Sequence, residues 1–161
     1  IVVDTKNFAV QTSVRTFDAA SFLRRCGADT KLVHRLFEED ISSIKCKAEI
    51  LAGMQLVDGT IAIASCPDHV EEAQILAGQV ADYLVTIKEI RASFLFYQTD
   101  KGLCLSARSD GSVNVQVVME ALGGGGHLTV AGAQLGKEGN KESAEKVIIA
   151  QVRKQIKEEK E

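Results

Sequence analysis

Four successive glycines followed by a histidine, Gly123-Gly124-Gly125-Gly126-His127, form the segment of this chain best suited to chemistry. Each glycine loses much backbone freedom on folding, so a fold that keeps four in a row must use them. Without Cβ atoms the backbone can approach a ligand closely and turn several N–H groups toward one point. A concave cluster of that kind suits an anion. His127 at its edge can donate a hydrogen bond to a phosphate oxygen, and Ala131-Gly132 follows shortly after. The plain alternative is a loose loop after a helix, with a histidine that happens to come next.

A second group is Ser106-Ala107-Arg108-Ser109, at the end of an expected strand. Arg108 offers a planar fork for a bidentate phosphate contact, and Ser106 and Ser109 add hydroxyl donors. Alone, an arginine at a strand end reads as a solvated side chain; beside the glycine run, a shared anion site is the better reading. Asn114 is a weaker candidate, for a ligand or for capping a helix. Asp4 closes the apolar run Ile1-Val2-Val3. A carboxylate held there can ligate a divalent metal, or it can simply form a turn. His34 and His69, on or beside helices, read as solvated.

The elements that must position these groups follow from periodicity. Ile1 to Asp4 reads as the end of a buried strand, which implies a piece of a longer protein. A helix is expected over Phe17–Arg25, stopped by Gly27. A second, opened by Asp29 or Thr30, carries Leu32, Val33, Leu36 and Phe37. A third runs from about Ser42 to Gln55, so that residues 1–56 make a strand remnant and helical connector. From Thr60 the pattern changes to strands and helices in alternation. Thr60–Ser65 reads as a buried strand, and Asp68 with Glu71 has the spacing of a capping box. Ala73, Leu76, Ala77, Val80 and Leu84 form the inner stripe of the helix that follows. Ala92–Gln98 and Gly102–Ala107 read as a hairpin around Thr99-Asp100-Lys101. Val115, Val118, Met119 and Leu122 line a helix that ends in the glycines. Ala131–Leu135 reads as a strand and Lys141–Lys157 as the last helix. The fold class is α/β with a mixed sheet, its main domain spanning residues 57–161.

Leu122-Gly-Gly-Gly-Gly-His127 with Ala131-Gly132, preceded by Ser106-Ala-Arg-Ser109, resembles the DHH-associated domain of the DHH phosphoesterases. Ile1-Val-Val-Asp4-Thr-Lys-Asn-Phe8 and Arg15-Thr-Phe-Asp-Ala-Ala20 resemble the close of the preceding DHH domain, most like cyclic-di-AMP phosphodiesterases. The resemblance implies a two-domain cleft. In it a DHH domain holds two manganese ions that activate water, and the associated domain grips the substrate. Two metals suit this reaction because they stabilise the attacking and leaving oxygens of an in-line displacement. Asp4 matches a metal ligand; Ser106, Arg108, Gly124, Gly125, Gly126 and His127 match the substrate side. The Asp-His-His motif is absent from this segment, which is therefore expected to be inactive alone. Implied partners are a nucleotide or cyclic-dinucleotide phosphate, the upstream DHH domain of the same chain, and a second copy in a homodimer. The resemblance also implies a cytoplasmic segment without membrane contact, in a parent anchored to the inner face of the cell membrane. The alternatives are short-RNA or polyphosphate hydrolysis on the same plan, or a nucleic-acid-binding module such as alanyl-tRNA synthetases carry.

Composition narrows the classes further. The 161 residues are 45% hydrophobic and 25% charged, as expected of an ordinary globular domain. A formal net charge of −3 argues against a broad nucleic-acid-coating surface, so any phosphate binding must be local. Two tyrosines and six phenylalanines are few for an extended base-stacking surface. Cys26, Cys46, Cys66 and Cys104 form no Cys-x-x-Cys pair and read as reduced thiols.

Overall fold

A computed structural model of the chain describes residues 1–68 and 70–158, and these divide into two compact units, Ile1–Asp40 and Ile41–Glu161. In the first, α1 (Val14–Arg25) and α2 (Thr30–Arg35) follow a run of turns, and no residue of either helix is buried. Their ends obey local rules. The Ser13 N–H donates to Thr16 Oγ1 at the start of α1. At its end, Gly27 takes φ +96° and donates to the Arg24 carbonyl while Ala28 donates to that of Leu23. Asp29 Oδ1 accepts from the Lys31 N–H at 2.8 Å to open α2.

The expected strand at Ile1–Asp4 is not formed. The segment coils into turns, with the Thr5 N–H donating to the Ile1 carbonyl and that of Asn7 to Val2. A strand needs a neighbour to receive its backbone groups, and the described residues of this unit contain no other strand, so those groups are satisfied locally.

The second unit begins with α3 (Ile41–Ala52) and β1 (Gln55–Val57). The third helix was expected to run on to Gln55. It stops at Ala52, and Gln55 instead starts an edge strand paired with β2 (Ile61–Ser65). The two compact units meet between Asp40 and Ile41. Helix α3 goes with the sheet because it buries Ile50 there.

Next come α4 (Ala73–Leu84), β3 (Ala92–Thr99), β4 (Gly102–Ser109), α5 (Val115–Glu120), β5 (Gly125–Gly126), β6 (Val130–Gly136) and α6 (Lys141–Glu158). Asp68 and Glu71 do not box the start of α4. Glu72 occupies the cap position at φ +56°, with no side-chain hydrogen bond to the helix. His69 lies outside the described residues.

The six strands lie in the order β1-β2-β3-β4-β6-β5, with β2 and β3 parallel and every other pair antiparallel. Helix α4 makes the crossover that parallel pairing requires. Both faces are covered, which explains the unbroken apolar run of β2. Ile61 and Ile63 join Phe94, Phe96, Leu105, Ile148 and Val152 on the face under α5 and α6. Ala62 and Ala64 join Leu76, Val80, Leu84 and Leu95 on the face under α4. Every residue expected on the inner stripe of α4 is buried.

Candidate ligand cleft

Strand alternation decides which groups can meet. On β4, Cys104, Ser106 and Arg108 fall on the α4 face, while Leu105, Ala107 and Ser109 fall on the other. Opposite residues of an antiparallel pair share a face, so Gln134, Gly132 and Val130 of β6 line up with Cys104, Ser106 and Arg108. Gly125 of β5 continues the middle row beyond Gly132. Above this surface opens a cleft of about 690 Å³, lined by Gln74, Tyr97, Ser106, Arg108, Gly124 and Gln134, among others. That volume lies in the range of small-ligand sites.

Arg108 is held rather than waving. Its Nε donates to Asp82 Oδ2 of α4 at 3.3 Å and its Nη1 to the Ala107 carbonyl at 3.0 Å. The side chain is only 16% exposed. Gly78 makes room for it on α4: a Cβ there would sit 3.3 Å from Arg108 Nη2. A guanidinium carries five N–H donors, so several stay available to an anion in the cleft. Ser106 lies in the next row, buried, and lines the same cleft as Tyr97. Burial is the main force pushing the Tyr97 hydroxyl above its usual pKa.

The glycine run does something other than form an open ring of amides. The Gly124 N–H donates to the Met119 carbonyl at 2.8 Å and that of Gly123 to Glu120 at 3.0 Å. With Gly123 at φ +76°, these bonds are the C-terminal cap of α5. Two of the amides expected to face an anion are thus spent on the helix end. The other reason for glycine is close approach. A Cβ on Gly124 would collide with the Gly132 carbonyl and with Ala133, and one on Gly126 with Val130 and Ala131. The run lets β5 lie flat on β6.

His127 is exposed, and its N–H donates to the Val130 carbonyl at 2.7 Å. Val130 is the cross-strand partner of Arg108. Arg108 and His127 therefore lie in one row two strands apart, roughly 10 Å at the usual strand spacing. His127 stands at the rim of the sheet and does not line the cleft itself.

Two expected site residues sit elsewhere. Ser109 is on the far face of β4, where its hydroxyl contacts the Leu128 carbonyl and the Gly111 N–H. A strand shows alternate side chains to opposite faces, so Ser106 and Ser109 could not both flank one ligand. Asn114 caps α5: its Oδ1 accepts from the Gln116 and Val117 N–H groups, and Gln155 holds its backbone. Of the two duties open to it, the capping one is seen.

Asp4 lies in the first unit, exposed and ion-paired at 3.5 Å with the N-terminal amine. Among the described residues, no three His, Cys, Asp or Glu side chains cluster as metal ligands. The residues present do not by themselves fit a two-manganese centre. Groups that line the cleft and were missed in the sequence include Gln74, Tyr97, Lys101 and Gln134. Strand register places Tyr97 and Gln134 there, the seating of α4 places Gln74, and the β3–β4 turn places Lys101.

The DHHA1 domain family matches residues 58–154, well over half of the chain. The chain belongs to the DHHA1 family. Curated relatives of this DHHA1 chain include the cyclic-di-AMP phosphodiesterase GdpP of Bacillus subtilis, 49% identical over 84% of the chain. Another is the cyclic-di-AMP phosphodiesterase PdeA of Listeria monocytogenes, 43% identical over 94% of it. The chain spans only 21% of the first and 23% of the second, about a fifth of their length. Among solved structures, an exopolyphosphatase-related protein from Bacteroides fragilis superposes with a TM-score of 0.80. At 21% identity it covers 95% of this chain and 47% of its own, and shows a shared fold.

Proposed function

We propose that this DHHA1 chain is the substrate-holding part of a metal-dependent phosphodiesterase that hydrolyses cyclic di-AMP or its linear dinucleotide. The observation that carries this reading is the seating of Arg108. A half-buried guanidinium, oriented by Asp82 and packed on Gly78, opens into a cleft with Ser106 beside it. Such a group recognises phosphate through charge-assisted hydrogen bonds. The relatives' names supply the substrate class, because two of them are cyclic-di-AMP phosphodiesterases at more than 40% identity.

In this reading His127 closes on the same phosphate from the rim, across the row it shares with Arg108. The glycine run supplies a surface without side chains on which a nucleotide can lie. The upstream DHH domain of the longer protein would hold two manganese ions, to which Asp4 would add one carboxylate, and the ions would supply the activated water. Residues of this chain bind and orient the substrate. Among the described residues, no helix is long and apolar enough to cross a membrane. Membrane anchorage of the parent belongs to the same proposal. Support comes from the name of a 35%-identical relative in the Onion yellows phytoplasma, a membrane protein–ribosomal subunit fusion.

The test is titration of the 161-residue chain with linear diadenylate, followed by calorimetry or NMR. Weak, saturable binding that Arg108→Gln reduces at least about tenfold is expected, the value of one charge-assisted contact. Binding indifferent to Arg108 would sink the reading.

A further inference from the structure

His127 is exposed and belongs to neither core, so the backbone turn that carries it must set its position. That turn runs from His127 to Val130 and is closed by the His127 N–H on the Val130 carbonyl at 2.7 Å. Two backbone carbonyls, those of Leu128 and Thr129, stand at its tip, and one loop grips both. The Ser109 N–H donates to Thr129 at 3.0 Å, and the Ser109 hydroxyl reaches the Leu128 carbonyl at 3.4 Å. Leu128 also accepts from the Val115 N–H, at 3.0 Å. The two ends of the segment 109–115 thus clasp the turn.

Each end of that segment is fixed in its own way. Ser109 is buried on the face of β4 away from the cleft, and its Oγ accepts from the Gly111 N–H at 3.3 Å. A hydroxyl can accept one bond while donating another, so Ser109 links the start of the loop to the turn. At the other end, Gln155 of α6 takes both backbone groups of Asn114. Its Oε1 accepts from the N–H at 2.7 Å, and its Nε2 donates to the carbonyl at 3.1 Å. The Asn114 carbonyl and the Val115 N–H belong to one planar trans peptide unit and point opposite ways. Holding the carbonyl from α6 therefore aims the N–H at Leu128.

We propose that Ser109 and Gln155 are positioning residues for His127, holding the rim histidine in the row of Arg108 so that one phosphate can meet both. Neither lines the cleft; each acts through the turn. The assignment rests on the phosphate-binding reading for the ligand that His127 meets.

Two measurements on the 161-residue chain test it: amide hydrogen exchange of the free chain and titration with linear diadenylate. Ser109→Ala and Gln155→Met should each speed exchange of the His127 N–H. Each should also weaken binding about two- to fivefold, as the loss of one ordinary hydrogen bond would. In a His127→Ala background the same two changes should weaken binding no further, because the group they position is gone. A change that merely loosened the fold would lower affinity alike in both backgrounds. Losses that persist without His127, or a His127 exchange rate unaltered in both variants, would overturn the assignment. Should Ser109→Ala not fold, the Gln155→Met arm decides alone. Arg108→Gln tells the two failures apart. A loss of at least about tenfold there, with persistent losses in the His127→Ala background, keeps the phosphate reading and rejects only the positioning. Binding indifferent to both Arg108 and His127 rejects both.

Discussion

Arg108 and Asp82 meet at 3.3 Å between the sheet and α4, a pair that joins the candidate ligand group to the helix above it. Asp82 is 37% exposed and Arg108 only 16%, so the carboxylate orients the guanidinium at modest energetic value, about 0.2–1 kcal/mol for such a partly solvated pair. Asp82→Asn is therefore expected to weaken phosphate binding by only about two- to five-fold, with the fold intact, against at least about tenfold for Arg108→Gln. Tighter binding in Asp82→Asn would mean that Asp82 competes for the guanidinium instead of aiming it. Titration with ribose 5-phosphate measures both.

His127 offers a different separation. It is exposed and packs into neither core, so His127→Ala should leave thermal stability nearly unchanged. In the longer enzyme the same change should lower substrate use by at least about tenfold. A charge-assisted contact is worth about 1.5–3 kcal/mol, and 1.4 kcal/mol corresponds to tenfold. Comparing kcat/KM with the melting temperature tests the pair of expectations. A large fall in melting temperature would reassign His127 to structure.

Adjacent glycines should respond in opposite ways. Gly124→Ala forces a methyl into the Gly132 carbonyl and Ala133, and is expected to cost about 1–3 kcal/mol as overpacking. Gly125 has nothing within 4 Å of an added Cβ and no positive φ. Gly125→Ala should therefore stay within about 0.5 kcal/mol of the parent. Denaturant unfolding of the two variants gives the answer. Equal losses would mean that the run is held for flexibility and not for close packing.

The cysteines differ in burial, and alkylation should rank them. Cys26 is exposed, whereas Cys66 and Cys104 are buried. Burial, with a smaller push from Cys46, raises the Cys66 thiol to about 11 from an ordinary value of 9.0. The native state thus favours neutral Cys66. Its contribution to stability is complete below pH 9 and is lost as pH rises toward 11. At pH 8, iodoacetamide should label Cys26 rapidly and Cys66 only after unfolding, as read by peptide mass spectrometry. Fast native labelling of Cys66 would contradict the packing of α4 on the sheet.

The chain by itself should show no appreciable hydrolysis of cyclic di-AMP, even with manganese supplied. A two-metal centre needs several ligands converging from a rigid frame, and among the described residues Asp4 stands exposed on a turn with no cluster of metal-ligating side chains around it. Chromatography of the products after incubation decides this. Metal-dependent turnover abolished by Asp4→Asn would show that the catalytic centre has been misplaced.

Local patterns in the sequence were enough for much of the second unit. The stripe Ala73, Leu76, Ala77, Val80 and Leu84 identifies α4 because helical spacing puts those residues on one face. The apolar blocks around Thr99-Asp100-Lys101 identify the β3–β4 hairpin, and the resemblance carried by Leu122-Gly-Gly-Gly-Gly-His127 agrees with the DHHA1 match over residues 58–154. Each of these signals lies within a few residues of chain. The errors arose where the deciding partner is distant. Ile1–Asp4 is apolar enough for a strand, yet among the described residues it pairs with none. Gln55 reads as the end of a helix, but it starts a strand paired with β2, through a pairing that periodicity cannot show.

The site divides in the same way. Arg108 and Ser106 were candidates by type and spacing, and the structure places both in one cleft; strand alternation alone could have removed Ser109 from that face. The glycines were recognised, but their reason was not: a helix cap at Gly123 and a close strand contact at Gly124 depend on where β6 lies. Asp82 and Gly78 of α4, Tyr97 of β3 and Gln134 of β6 come from three different elements, and nothing in their sequence neighbourhoods ties them to Arg108. Tertiary structure decides their roles, because register across the sheet and the seating of α4 bring them to one cleft. Sequence determined which side chains and glycines the chain has to offer a ligand; folding determined which of them share a face.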